Sequence, residues 1–143
     1  MSLLLRRLYV SPAPKRWAAF FSGASLVLAF EPFAMAWLAP VALAALMLLL
    51  EGTTPRQAAW TGFCFGLGLF TAGTYWLYIS LNIMGGLWPP IALLMMFVFI
   101  VLLATYSALA SYGTVRLAPG GDVLRWLVMF PALWTLAEWL RGW

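Results

Sequence analysis

The feature that most constrains this chain is a stretch from Gln57 to Val115 that contains no charged residue. A transmembrane helix needs about 20 mostly apolar residues, so this stretch is long enough for two spans. The whole chain is 65% apolar and 8% charged, whereas charged residues make up about 25% of an average soluble domain. These values exclude an ordinary soluble domain and predict an all-α integral membrane protein.

Turn-forming residues divide the apolar sequence into five predicted transmembrane helices. Asn82 to Pro90 contains paired glycines and paired prolines, which interrupt helical hydrogen bonding. Glu31-Pro32 separates the first two spans, and Asp122 is a suitable N-cap for the last one. We therefore predict a basic N-terminal segment, 1–16, and a transmembrane helical domain, 17–143, with spans at about 17–30, 35–50, 57–80, 89–115 and 122–140.

The positions of Lys and Arg predict the orientation, because cytoplasmic loops retain positive charge. With the N-terminus inside, only Arg141 of the eight basic residues lies outside, and the cytoplasmic ones are Arg6, Arg7, Lys15, Arg16, Arg56, Arg116 and Arg125. No small-residue cleavage site follows the first apolar stretch, so we interpret it as an uncleaved helix and not as a signal peptide. Five spans bring the C-terminus to the outer face, and we expect a longer chain to continue from there.

Composition also excludes several kinds of chemistry. The sequence has no histidine and one cysteine, Cys64, so it predicts no His-based triad, no disulfide and no metal site. No cofactor is expected. The basic residues are dispersed between apolar stretches, which argues against nucleic-acid binding. Cys64 has no base nearby in sequence to activate its thiol, and we interpret it as a small apolar residue in a helix interface.

Two patterns predict helix packing. Small residues recur along one face of the third span, where they would let a neighbouring helix of the same chain, or alternatively a second copy, approach closely; they are Ala58, Gly62, Gly66 and Gly73. Glu138 precedes Arg141 by three residues, the spacing of two side chains on one helix face. We therefore predict an interfacial ion pair at the outer end of the fifth span.

The outer end of the third span is unusually rich in groups that can hydrogen-bond. They precede Gly85 and Gly86 and comprise Tyr75, Trp76, Tyr78, Ser80 and Asn82. Aromatic residues with polar ends also form plain interfacial belts, so anchoring in the membrane is one interpretation of this cluster. The other is a substrate portal formed by the cluster and the 81–90 loop, because these groups would suit a lipid headgroup or an acylated substrate.

Several of these segments, in this order, resemble the N-terminal membrane region of bacterial apolipoprotein N-acyltransferases. The segments are LAFEPF (28–33), GFCFGLGLF (62–70), YWLYIS (75–80), GG (85–86), PALW (131–134) and EWLRGW (138–143). The resemblance covers nearly the whole chain from about residue 17. Glu31 stands where the family pattern leads us to expect a small or hydroxyl residue, and no role is assigned to it.

The resemblance implies a multi-pass enzyme of the bacterial inner membrane, with a membrane domain of eight helices. Such enzymes transfer an acyl chain from a phospholipid to the α-amino group of the N-terminal cysteine of a diacylglyceryl lipoprotein. Their cysteine nucleophile, glutamate base and lysine lie in a nitrilase-like domain outside the membrane. No residue of this chain matches those positions, including Cys64, so the chain is predicted to be scaffold and substrate portal and to be inactive alone.

A non-enzymatic membrane protein, such as a transporter half or an assembly subunit, is the alternative. Transporters commonly place paired polar groups or broken helices near the middle of the membrane. The middle positions of the predicted spans are nearly all apolar. The sequence therefore favours the acyltransferase region over a transporter.

Overall fold

The computed structural model of the chain describes residues 12–30, 32–118 and 123–142. These residues form six α-helices: α1 (Pro12–Leu26), α2 (Leu38–Leu50), α3 (Pro55–Gly73), α4 (Tyr75–Ile79), α5 (Pro89–Leu117) and α6 (Phe130–Arg141). A short 3₁₀ turn, Val27–Ala29, extends α1, and π-helical turns extend α4 (Ser80–Met84) and precede α6 (Arg125–Met129). The described part of the chain is thus all-helical, as the sequence predicts.

Local sequence explains where α3 begins. The Thr54 hydroxyl accepts a hydrogen bond from the Gln57 backbone N–H at 3.4 Å, and the Gln57 side chain accepts one from the Thr54 N–H at 3.0 Å. This reciprocal pair satisfies two N–H groups that the first turn of a helix leaves free. Pro55 follows at the first helical position, where its missing N–H costs nothing.

The third predicted span is not one straight helix. It is bent by 50° between α3 and α4, at Thr74, whose φ and ψ of −111° and 13° are not helical. The Thr74 hydroxyl donates to the Phe70 carbonyl at 2.6 Å, and its backbone N–H donates to the same oxygen at 2.9 Å. Both groups are satisfied at the break, so the bend leaves no buried donor unpaired at Thr74.

Helix α3 is the centre of the fold and packs against α1 and α5, while α2 packs on α1 and α6 on α5. The buried residues of α5 are mostly small or hydroxylated, among them Ala104, Ser107, Ser111 and Thr114, whereas Leu94 and Phe97 on the same helix are 61% exposed. Large apolar side chains outside and small residues inside are the arrangement that a lipid environment favours.

Close approach of the helices depends on glycine. A Cβ added to Gly68 would overlap the Phe20 carbonyl oxygen, and one added to Gly23 would overlap that of Phe65. Helices α1 and α3 therefore touch backbone to backbone on one side of α3. Gly62 and Gly66 face Ser111 and Ala104 of α5 on another side.

Helix length and apolarity give one or two candidate membrane spans within the described residues. Helix α5 qualifies by itself, and α3 with the α4 segment to Met84 qualifies if the bent pair is counted as one span. Helices α2 and α6 have 13 and 12 residues, fewer than the roughly 20 of a full span. The five-span topology is therefore a proposal, and the observation is an all-helical fold with one or two candidate spans.

Some sequence predictions concern residues outside those that the structure describes. These are the start of the basic segment, residues 1–11, the proposed N-cap Asp122, and Glu31 and Trp143. Pro131 lies at the start of α6, directly after the π-helical turn. The wide turn carries the chain past a residue that lacks a backbone donor.

Candidate functional site

An apolar cavity of about 830 Å³ opens between five segments of the chain. Its walls come from the end of α1 with the residues that follow, from α2, from the α3–α4 junction, from the middle of α5 and from the last turns of α6. The apolar lining residues include Leu26, Val27, Phe30, Phe33, Leu43, Leu69, Phe70, Phe99, Leu103 and Trp134. This volume is in the range of sites that hold small molecules.

The inner wall of the cavity is fixed by an aromatic stack. The Trp134 ring lies 5.7 Å from that of Phe130, nearly parallel, and 5.8 Å from that of Phe65, edge to face. Phe65 and Phe130 are buried. Rings in these arrangements attract one another beyond their area burial, so α3 and α6 hold Trp134 in place against the cavity.

We call the exposed rim the cavity mouth and define it by Phe30, Phe33, Tyr75, Trp76, Glu138 and Arg141. Phe30, Phe33, Tyr75 and Trp76 are each more than half exposed. Tyr75 and Trp76 come directly after the bend at Thr74, so the break between α3 and α4 brings them to the cavity. The mouth therefore combines aromatic surface with one charged pair.

The charged pair consists of two residues one turn apart on α6. The Arg141 guanidinium donates a hydrogen bond through Nη2 to Oε2 of Glu138. Its central carbon also lies 5.2 Å from the centre of the Phe70 ring, within the range of a cation–π contact. The Arg141 and Glu138 side chains are 30% and 40% exposed, so the pair is neither fully buried nor free in solvent.

The predicted portal cluster divides into two groups. Tyr75 and Trp76 line the cavity, whereas Tyr78, Ser80, Asn82, Gly85 and Gly86 do not. Tyr78 lies on α4. The residues after α4 form a turn held by hydrogen bonds: the Asn82 amide donates to the Leu87 carbonyl at 2.8 Å, and the Leu87 N–H donates to the Leu81 carbonyl at 3.1 Å. We call residues 80–87 the pinned turn: hydrogen bonds within the segment hold it, and its residues do not line the cavity.

The small residues predicted on one face of α3 also divide. Ala58, Gly62 and Gly66 are buried, and the two glycines face α5. Gly73 instead faces Val27, at 3.6 Å from a Cβ built there, and lines the cavity. Cys64 is partly buried on α3 and is not among the cavity residues.

Sequence reasoning missed most of the cavity. Phe33, Leu43, Leu103 and Trp134 are far apart in sequence, and each resembles any other apolar residue of a membrane helix. It also missed Gly23 and Gly68, although glycines in the first and third predicted spans were a signal that could have indicated a close crossing. Within the described ranges, no cluster of three or more His, Cys, Asp or Glu residues could hold a metal ion.

Comparison with known proteins assigns the sequence of this chain to a family. Residues 22–143 match the model of the apolipoprotein N-acyltransferase N-terminal domain. The chain belongs to this family. The match confirms the resemblance drawn from the ordered segments.

Curated relatives agree with the family match. The apolipoprotein N-acyltransferase of Chromobacterium violaceum is 44% identical over 126 residues, which are 88% of this chain and 24% of the relative. That of Vibrio parahaemolyticus is 40% identical over 144 residues, covering 100% of this chain and 27% of the relative. That of Pseudomonas putida is 41% identical, covering 91% and 26%. The chain thus spans about a quarter of the length of these apolipoprotein N-acyltransferases, and the family match is to their N-terminal domain.

Proposed function

We propose that this chain is the scaffold and substrate-portal part of an apolipoprotein N-acyltransferase of the bacterial inner membrane. The enzyme would transfer an acyl chain from a phospholipid to the N-terminal cysteine of a lipoprotein. The observation that carries this proposal is the apolar cavity with an aromatic and charged mouth, in a chain of this family. The chemistry itself would take place in residues beyond this chain.

The cavity suits an acyl chain for a physical reason. Burying one methylene group contributes about 0.8 kcal/mol when the group leaves water. Lipid tails are already in an apolar medium, so the fit of a tail to the shape of the cavity, and not its removal from water, would favour binding. Fixed walls such as Trp134 and Leu69 would hold one tail in a defined path. Tyr75 and Trp76 could then contact the polar end of the same lipid.

The proposed orientation places the cavity mouth toward the outer leaflet. Lys15, Arg16 and Arg56 lie at the opposite end of α1 and α3 from Tyr75 and Trp76. In the positive-inside arrangement this basic end is cytoplasmic. Substrate would then enter at the side of the membrane where lipoproteins are acylated in this family, and the nearby turn at 81–90 would border the entrance.

Filling the cavity tests this function. Leu103 lines the cavity, whereas its neighbour Leu102 is 53% exposed on the outside of α5. In the whole protein that contains this chain, we expect Leu103→Trp to lower lipoprotein N-acylation at least tenfold, because the indole would occupy the space of the acyl chain. Leu102→Trp is the matched control and should act at the parental rate.

Equal rates for both variants, at equal amounts in the membrane, would show that the cavity does not bind the substrate. Mass spectrometry of the lipoprotein N-terminus measures the reaction directly. The amount of folded protein is checked by thermal unfolding in detergent. A general packing defect would lower the unfolding temperature as well as the rate, whereas blocked access lowers the rate alone.

A further inference from the structure

Arg141 is a cation that lies against the wall of an apolar cavity. Its guanidinium lies over Phe70, which is fifteen residues beyond the start of α3 at Pro55. At 1.5 Å per residue this is about 22 Å along the helix, in a bilayer whose hydrocarbon core is about 30 Å thick. With Pro55 at the inner boundary and α3 along the membrane normal, the proposed orientation places Arg141 about 8 Å inside the outer boundary of the hydrocarbon core. Ionisable groups at such depths are costly and usually serve a function.

Pairing with Glu138 lowers the cost of placing the Arg141 charge at this depth, and it leaves other N–H groups of the guanidinium able to bind a ligand. Within the described ranges, Glu138 is the hydrogen-bond partner of the Arg141 guanidinium, through Nη2. A guanidinium carries five N–H groups in a planar fork, which matches the oxygens of a phosphate. The Nη1 and Nε groups of Arg141 can therefore donate to a ligand while Glu138 holds the plane of the fork.

We propose that Arg141 binds the phosphodiester of a lipid whose acyl chain occupies the cavity, with Glu138 as the residue that positions the guanidinium. This inference deepens the proposed function and rests on it. The structure places one oriented cation at the mouth of an apolar cavity, among exposed aromatic rings. An amphiphile with an apolar tail and an anionic, oxygen-rich head matches both parts.

The test compares two phospholipids with a diacylglycerol that has the same acyl chains but lacks the phosphate headgroup. The whole protein is purified in dodecyl maltoside, which has no phosphate, and binding is measured by native mass spectrometry with dioleoylphosphatidylglycerol, dioleoylphosphatidylethanolamine or dioleoylglycerol. We expect Arg141→Gln to weaken binding of both phospholipids about tenfold and to leave dioleoylglycerol binding unchanged. Arg141→Lys should recover part of the phospholipid affinity, because an ammonium supplies charge without the planar fork.

Two further variants keep the result interpretable. Arg141→Gln leaves Glu138 without its partner, so the double variant Glu138→Gln with Arg141→Gln removes both charges and should show the same selective loss. Arg116→Gln is the matched control, since Arg116 is an exposed arginine in the last turn of α5 and does not line the cavity. It should bind all three lipids as the parent does.

The possible failures separate the two proposals. Unchanged phospholipid affinity in Arg141→Gln and in the double variant would overturn the assignment of Arg141, leaving a pair that only neutralises its own charges. Displacement of the phospholipid by millimolar inorganic phosphate would overturn it too, because the site would then recognise free phosphate without a tail. Binding of all three lipids that is unaffected by Leu103→Trp would instead contradict the cavity and the proposed function.

Discussion

At the scale of single residues, glycine decides how closely the helices can approach. Gly23 and Gly68 face each other's helices across the α1–α3 contact, where added Cβ atoms would overlap backbone carbonyl groups. Backbone atoms cannot move aside as a flexible side chain can, so any larger residue must push the helices apart. Gly73, on the same helix, has room for a Cβ at van der Waals distance from Val27.

We expect Gly68→Ala to destabilise the protein by about 1–3 kcal/mol, the usual range for overpacking a well-packed core. Gly73→Ala is the control on the same helix and should be nearly neutral, because its methyl group meets Val27 at an ordinary distance. Thermal unfolding in detergent measures both. A Gly68→Ala protein with the parental unfolding temperature would mean that α1 and α3 are not in backbone contact.

Cys64 gives a second prediction at this scale. It lies partly buried on α3, away from the cavity, and the family resemblance places the nucleophile in another domain. We therefore expect Cys64→Ala in the whole protein to leave lipoprotein acylation within about twofold of the parent, as a substitution away from the reacting groups should. Loss of the acyl-enzyme in a folded Cys64→Ala protein would contradict this assignment.

At the scale of elements, the break between α3 and α4 separates aromatic residues that the sequence groups together. A straight helix would continue the cluster from Tyr75 to Asn82 along its own surface. The bend at Thr74 instead brings Tyr75 and Trp76 to the cavity, while Tyr78 lies on α4 outside the cavity lining and Asn82 belongs to the pinned turn. Because Thr74 bonds the Phe70 carbonyl through two of its own donors, the break is built into the local sequence.

We expect Trp76→Ala to lower the acylation rate several-fold, mainly by raising KM for the lipid donor, because the indole forms part of the cavity mouth. Tyr78→Ala removes an aromatic ring from the same short helix but from outside the cavity, and its effect should be smaller. Initial rates over a range of lipid concentrations distinguish the two. Equal effects would favour the plain interfacial belt for this segment.

At the scale of the whole molecule, orientation follows from where the charges lie. The described basic residues of α1 and α3 share one end of the fold, and Tyr75, Trp76 and Arg141 surround the cavity mouth at the other. Moving the basic end across the membrane would cost several kcal/mol for each buried charge. The bundle should therefore insert in a single orientation.

Reporter fusions test that orientation and the number of spans. With five spans and the N-terminus inside, reporters after residues 54, 86, 119 and 143 should read inside, outside, inside and outside. A reporter that reads outside at 54 or 119 would contradict the proposed topology. Insertion of a short tag at position 86 in the intact protein, followed by labelling from the outer face, is the control for effects of truncation.

The sequence by itself determined the class of this protein. Composition and long uncharged stretches predict membrane helices, because those properties need no knowledge of which residues meet. Capping signals predict helix starts, as Thr54 and Pro55 do for α3, since the hydrogen bonds involved join residues three apart. The ordered segments identified the family for the same reason: each is a short, local pattern.

Only the tertiary structure decided the cavity and the crossing of α1 with α3. The cavity walls come from five segments. The apolar sequence of α5 looks the same at Leu102 and at Leu103, so it does not indicate which of the two faces the cavity and which faces lipid. The backbone contact at Gly23 and Gly68 depends on the angle at which two helices cross, which neither helix encodes alone. The physical reason is that these features arise from distances between residues far apart in the chain, and local patterns do not contain those distances.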